Sequence, residues 1–145
     1  MPEKETVERA QEDAREGKSP STQAGEFVRE EIHHVREGKH GVRSPKQAIA
    51  IGLSKARRAG VKLGPPKGSA SVRKKAAQDA SAGKKRTHKT STKRSRAVSG
   101  ALRRESRRGP SHEALSRQPK TSAVKRGKPS RRAAALKAAR TRRAA

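Results

Sequence analysis

Ser19-Pro20-Ser21-Thr22-Gln23-Ala24-Gly25-Glu26-Phe27-Val28-Arg29-Glu30-Glu31-Ile32-His33-His34-Val35-Arg36-Glu37-Gly38 is the stretch whose reading decides the fold. Ser19 is a helix cap, and Pro20 follows at the first helical position, where a missing N–H leaves no bond unmade. Ala24, Phe27, Val28, Ile32 and Val35 then recur at helical spacing, and Gly38 supplies the residue type that ends a helix in the left-handed conformation. The chain's one Phe therefore sits in the middle of an apolar face that needs a partner.

Partners are found on both sides. Downstream, Ser44-Pro45-Lys46-Gln47 is a capping box with proline at the first position, and Ala48, Ile49, Leu53 and Ala56 continue to Gly60. Upstream, residues 3–16 place Val7, Ala10 and Ala14 on one side and stop at Gly17. Arg15-Glu16-Gly17-Lys18 before Ser19-Pro20 echoes Arg36-Glu37-Gly38-Lys39 before Ser44-Pro45, which duplication and the small vocabulary of capping residues explain equally well.

Residues 1–60 carry 10 acidic and 12 basic side chains, whereas residues 61–145 carry 3 acidic and 27 basic ones. Leu, Ile, Val and Phe total 17 of 145 residues and Ala dominates the rest of the apolar content, a composition that with a net charge of +26 places most of the chain in the disordered class. The expected fold is therefore mostly α: a small N-terminal helical hairpin or three-helix module over residues 1–63, then a long disordered basic tail over 64–145. Short helices over 71–82, 99–108, 111–117 and 130–143 are expected in the tail only transiently, because isolated helices of that length are marginal in water.

Several chemistries are excluded by what is missing. Without Cys there is no disulfide, thiolate nucleophile or Cys-ligated metal. A charged N-terminus and the lack of any long apolar run point to a cytoplasmic protein with no membrane association. Gly17-Lys18-Ser19 resembles the end of a phosphate-binding loop, but Glu12 stands where that motif needs glycine. Glu30 to Glu37 holds Glu-x-x-His twice in overlapping register, and His33 with Glu37 has metal-ligand spacing, yet a bridged metal pair needs matching helices that are absent. Arg29, His33 and Glu37 read instead as a solvated ion-paired face. No Ser/His/Asp arrangement stands out among the five His, so no enzyme activity, cofactor or metal is expected.

The cations of the second half come in clusters: Arg73, Lys74 and Lys75; Lys84, Lys85 and Arg86; Lys93, Arg94 and Arg96; Arg103 and Arg104; Arg107 and Arg108; Lys125 and Arg126; Arg131 and Arg132; Arg140, Arg142 and Arg143. Small residues between them let a backbone follow a groove, and phosphate neutralisation releases condensed counterions, so these residues are expected to bind nucleic acid without sequence preference. Base-stacking readers need aromatic side chains, and with no Trp or Tyr duplex DNA is the expected partner, RNA the alternative. Ala48 and Gly52 have helix-turn-helix spacing, but Gly52 would have to separate two helices and Arg58 occupies a later aliphatic position. Lys46, Lys55, Arg57 and Arg58 are expected to extend the phosphate-contacting surface.

The string from Ser19 to Glu31, with Gly38-Lys39-His40-Gly41 and the run from Ser44 to Gly60, resembles a family of small basic bacterial proteins of unknown function, sometimes labelled plasmid stabilisation proteins. The resemblance covers residues 1–66, carries no catalytic residue to transfer, and implies a bacterial setting with a loose link to DNA maintenance. The tail is similar in composition alone to those of bacterial histone-like proteins and linker histones, although it favours Arg over Lys and has no regular repeat. The expected function is sequence-independent duplex binding or compaction by a non-enzymatic, nucleoid-associated, histone-like protein. The rivals are an RNA- or ribosome-associated basic protein and a protein-interaction module tethered to nucleic acid by its tail.

Overall fold

The computed structural model describes residues 2–84, 91–108 and 110–144, and among these all regular structure is helical. The helices are α1 (Lys4–Arg15), α2 (Pro20–Arg36), α3 (Pro45–Arg58), α4 (Ala70–Lys84), α5 (Thr92–Arg104) and α6 (His112–Ala144). They fall into two compact units, Met1–Pro110 and Ser111–Ala145.

In the first unit α2 packs against both α1 and α3. Ser19 Oγ accepts from the Thr22 N–H at 3.3 Å, and Ser44 Oγ accepts from the Gln47 N–H at 3.4 Å. The reciprocal half of the second box reaches one residue further than expected, since Gln47 Oε1 accepts from the Arg43 N–H at 2.8 Å. Gly17, Gly38 and Gly60 end α1, α2 and α3 with positive φ, as their placement in the sequence implied.

The core divides in two. Phe27, fully buried, packs with Ala10, Ala24 and Ala56, flanked by Val7, Leu53, Val61 and Leu63. Val35, Val42 and Ala48 form a second cluster with Ile32 and Ile51. Ile32 thus belongs to the far end of α2 rather than to Phe27, because the two are five residues apart and point to different levels of the α2–α3 seam. α3 also runs unbroken through Gly52, which overturns the expectation that this glycine would interrupt the helix. Its role is close approach: a Cβ there would stand 2.7 Å from Val28 Cα.

The expected long disordered tail is not what the structure shows. Residues 70–84, 92–104 and 112–144 are helical, and the first compact unit continues to Pro110. α4 docks on α3 through Ala76, Asp79 and Gly83, which lie at i, i+3 and i+7 on one face. A Cβ at Gly83 would come within 2.6 Å of the Arg58 carbonyl oxygen, so the two backbones meet with little between them. Beyond α5, the Gly41 N–H donates to the Leu102 carbonyl at 2.8 Å and the Val42 N–H to the Ser106 carbonyl at 2.9 Å. Counting Leu, Ile, Val and Phe missed this packing because it is made by alanine, glycine, main-chain hydrogen bonds and a carboxylate.

The second unit is α6 itself. Ser111 Oγ accepts from the Ala114 N–H at 3.3 Å, and the helix continues through Pro119 to a break at Gly127, where φ is 75° and ψ 169°. Pro129 follows in the first turn after the break, the helical position that tolerates proline. Among its described residues α6 buries none, so Ala-rich propensity and the Ser111 cap are what favour it locally.

Candidate nucleic-acid interface

Of the twenty cations singled out in the sequence, Lys85 and Arg86 lie outside the described residues, and the other eighteen are all exposed. Arg73, Lys74, Lys75 and Lys84 are on α4, with Lys74 on the side away from Ala76 and Asp79. Lys93, Arg94, Arg96, Arg103 and Arg104 are on α5, and helical periodicity puts Lys93, Arg96, Arg103 and Arg104 on one side with Val98 and Leu102 opposite. Arg107 and Arg108 follow α5, and the Arg107 guanidinium lies against Gly38, its Cζ 3.1 Å from where a Cβ would stand.

On α6, Lys125 and Arg126 precede the break and Arg131, Arg132, Arg140, Arg142 and Arg143 follow it. Lys128, Arg131 and Arg132 share one side with Arg142 and Arg143, and mostly alanine separates the two groups. Arg132 and Arg142 are about 15 Å apart along the axis at 1.5 Å per residue. Two cation clusters held at fixed spacing on a narrow alanine face can follow successive phosphates of a backbone.

What decides the electrostatics of this surface is where the carboxylates are. Among the eighteen, Lys75 has a carboxylate partner, Asp79 at 3.2 Å, and no ion pair joins any of the others to a described carboxylate. The acids of the second half are used for docking. Asp79, with a side chain 4% exposed, accepts from Ser54 Oγ at 2.8 Å and Arg58 Nε at 3.0 Å on α3, and from Lys75 Nζ at 3.2 Å. Burial pushes its carboxyl up, but those hydrogen bonds outweigh burial and hold it below the ordinary aspartate range. Glu105 accepts from the Arg43 guanidinium at 3.0 Å beside the Gly41 and Val42 main-chain bonds. Reading the tail for its cations overlooked both; the signal available was two acids isolated in a stretch of otherwise like charge.

The first half contributes less to this surface than expected. Lys46 is exposed and Arg57 half-buried, but Lys55 places its ammonium 3.0 Å from Glu30 and 2.8 Å from Glu31, two buried carboxylates of α2. Burial lowers the Lys55 pKa, and Glu31 and Glu30 more than offset this and keep it above its ordinary value. Arg58 is turned to Asp79. His33 and Glu37 form the solvated pair anticipated from their spacing, 3.1 Å apart and largely exposed.

Among the described residues no helix is long and apolar enough to cross a membrane. No curated protein and no solved structure matches the chain. Over residues 15–68, which hold α2, α3 and the glycine turns around them, the chain matches the model of a family of unknown function (DUF6496); that family agrees with the resemblance as to unknown function and lends no support to a plasmid-stabilisation role.

Proposed function

We propose that this protein binds nucleic acid without sequence preference, duplex DNA foremost, and acts by binding and compaction rather than by catalysis. The observation that carries the reading is the row of exposed cations on α4, α5 and α6, seventeen of the eighteen described ones free of an ion-pair partner. Cations without internal partners have no folded-state bond to break before they neutralise phosphates, so counterion release is available in full. Helices with small residues between the cations suit close approach to a backbone, and the aromatic platforms that single-strand readers use are absent from the sequence. A nucleoid association follows from this reading, and a role in plasmid maintenance rests on the resemblance alone.

The test compares the full chain with a variant carrying Arg131, Arg132, Arg140, Arg142 and Arg143 as Gln, on a random-sequence duplex over a range of salt. The wild type should lose affinity steeply with salt, and the variant's slope should be shallower by up to about 4.5, at about 0.9 per phosphate contact. Identical slopes would remove α6 from the interface. Competition with structured RNA of equal nucleotide concentration assigns the partner, since preferential displacement of the duplex transfers the function to RNA.

A further inference from the structure

A buried polar cluster lies away from the cationic helices, where α2, α3 and the loop after α2 meet. Glu30 and Glu31 have side chains 2% and 1% exposed, and between them they have one ammonium, that of Lys55. The buried carboxylates thus outnumber the buried cation by one, an arrangement that is costly unless a further positive charge completes it. Neither oxygen of Glu31 makes a hydrogen bond. Lys55 Nζ is 2.8 Å from Oε2 and His40 Nε2 is 3.2 Å from Oε1, and both approach out of line.

His40 sharpens the imbalance. Its Nδ1 lies 3.2 Å from the Gly41 carbonyl oxygen, an acceptor that requires the proton on Nδ1. In the neutral ring Nε2 is then a lone pair facing the lone pairs of Glu31 Oε1, so something positive must sit between them. His34 completes the group. Its ring is held between two carboxylates, with Nε2 2.8 Å from Glu3 Oε1 and Nδ1 3.9 Å from Glu30 Oε1. One ligating atom from each of Glu31, His34 and His40 lies within 4.8 Å of the other two. Zinc bonds of about 2.0–2.2 Å require ligand atoms about 3.3 Å apart, so side-chain shifts of about 1 Å close the set.

We infer that Glu31, His34 and His40 form a binding site for a divalent transition metal of the zinc class, with two imidazoles and one carboxylate as protein ligands. Lys55 stays on Glu31 Oε2 and Glu30, and the dication supplies the charge that the cluster lacks. Hydrogen bonds from the outer nitrogens to a backbone carbonyl and a carboxylate are the arrangement that orients imidazoles toward a metal. The Glu-x-x-His pair from Glu31 to His34 is one of the two read in the sequence; what the sequence could not display is His40, which the α2–α3 loop brings to them. The site tethers that loop to α2, and its occupancy is independent of nucleic-acid binding.

The experiment titrates the full chain with Zn²⁺ by calorimetry, and with Co²⁺ for the visible absorption of a tetrahedral site. One equivalent should bind, and His40→Ala and Glu31→Gln should each weaken it at least about 100-fold, while His33→Ala and His112→Ala, altering exposed histidines, should leave it unchanged. On the wild-type chain, zinc should shift the ¹⁵N resonances of His34 and His40 and leave those of His33 in place, a readout that needs no variant to fold. Absence of saturable binding, full affinity in His40→Ala with helix content intact, or equal losses in the His33 and His112 variants, meaning an adventitious ion only, would each overturn the site.

Discussion

α4 and α6 come from the same alanine-rich, cationic half of the chain, yet one is built into a fold and the other buries nothing. α4 has Asp79 at the centre of its inward face, with Ala76 and Gly83 above and below it, and α3 meets that face with Ser54 and Arg58. α6 has a single acid, Glu113 in its first turn, and its large apolar residues remain in solvent, Leu136 at 59% and Val124 at 69% exposure. Composition barely separates the two helices. One buried carboxylate flanked by small residues is enough to fix where a basic helix docks, because it converts two neighbouring cations from repulsion into hydrogen bonds.

The comparison breaks most visibly in the core that α4 leans on. Phe27→Ala should cost about 3–5 kcal/mol, enough to unfold a small helical unit. Near-complete loss of cooperative melting is expected, with duplex affinity retained because the cations of α6 need no buried platform. Loss of affinity together with helicity would show that the first unit itself clamps the ligand.

A smaller effect should come from Asp79→Ala, about 1–3 kcal/mol for a buried hydrogen-bonded carboxylate. It should appear as faster amide exchange across residues 70–84 with exchange in α6 unchanged. The same contact has a pH signature. Since the folded carboxyl is held below its ordinary value of 3.8, docking is fully stabilised above that pH and weakens as pH falls through the folded value. Exchange in α4 should therefore be protected equally at neutral and mildly acidic pH, apart from the intrinsic rate, and lose protection only in stronger acid. The smallest change is expected from Leu136→Ala, within about 0.5 kcal/mol, as for any exposed side chain without a partner. A larger destabilisation in a melting experiment would mean that α6 has a packed face after all.

What was legible in the sequence was local. The ends of α2 and α3 followed from Ser19, Ser44, their prolines and the glycines at 38 and 60, because capping is decided within a few residues. α1 is assigned within a residue or so of its observed limits, Lys4–Arg15, for the same reason. α4 was also anticipated as a segment, over 71–82, but as a transient one; its docking depends on Ser54 and Arg58, some twenty residues away, and no periodicity reports that. α5 begins seven residues earlier than expected, at Thr92, where Ser91 caps it by accepting from the Arg94 N–H. In α6 the stop assigned near Arg117 anticipated a break at Pro119, but the helix carries that proline and yields instead at Gly127. The cation clusters were legible by position; which carboxylates neutralise them, and so which remain free, was not. His40 likewise shows nothing in the sequence, since its significance is its position opposite Glu31.

The two main-chain bonds from Gly41 to Leu102 and from Val42 to Ser106 join residues 61 and 64 positions apart. A chain emerging at about 5–20 residues per second therefore offers α2 and α3 to each other about 3–13 s before Ser106 exists. During that interval the segment around His40 has its upstream neighbours but not the strap that later ties it down, and closing so long a loop carries an entropic cost that the earlier contacts do not. The order of assembly is thereby written into the topology: apolar helices first, the His40 loop last, with the end of α5 acting as the fastening that a nascent chain must wait to receive.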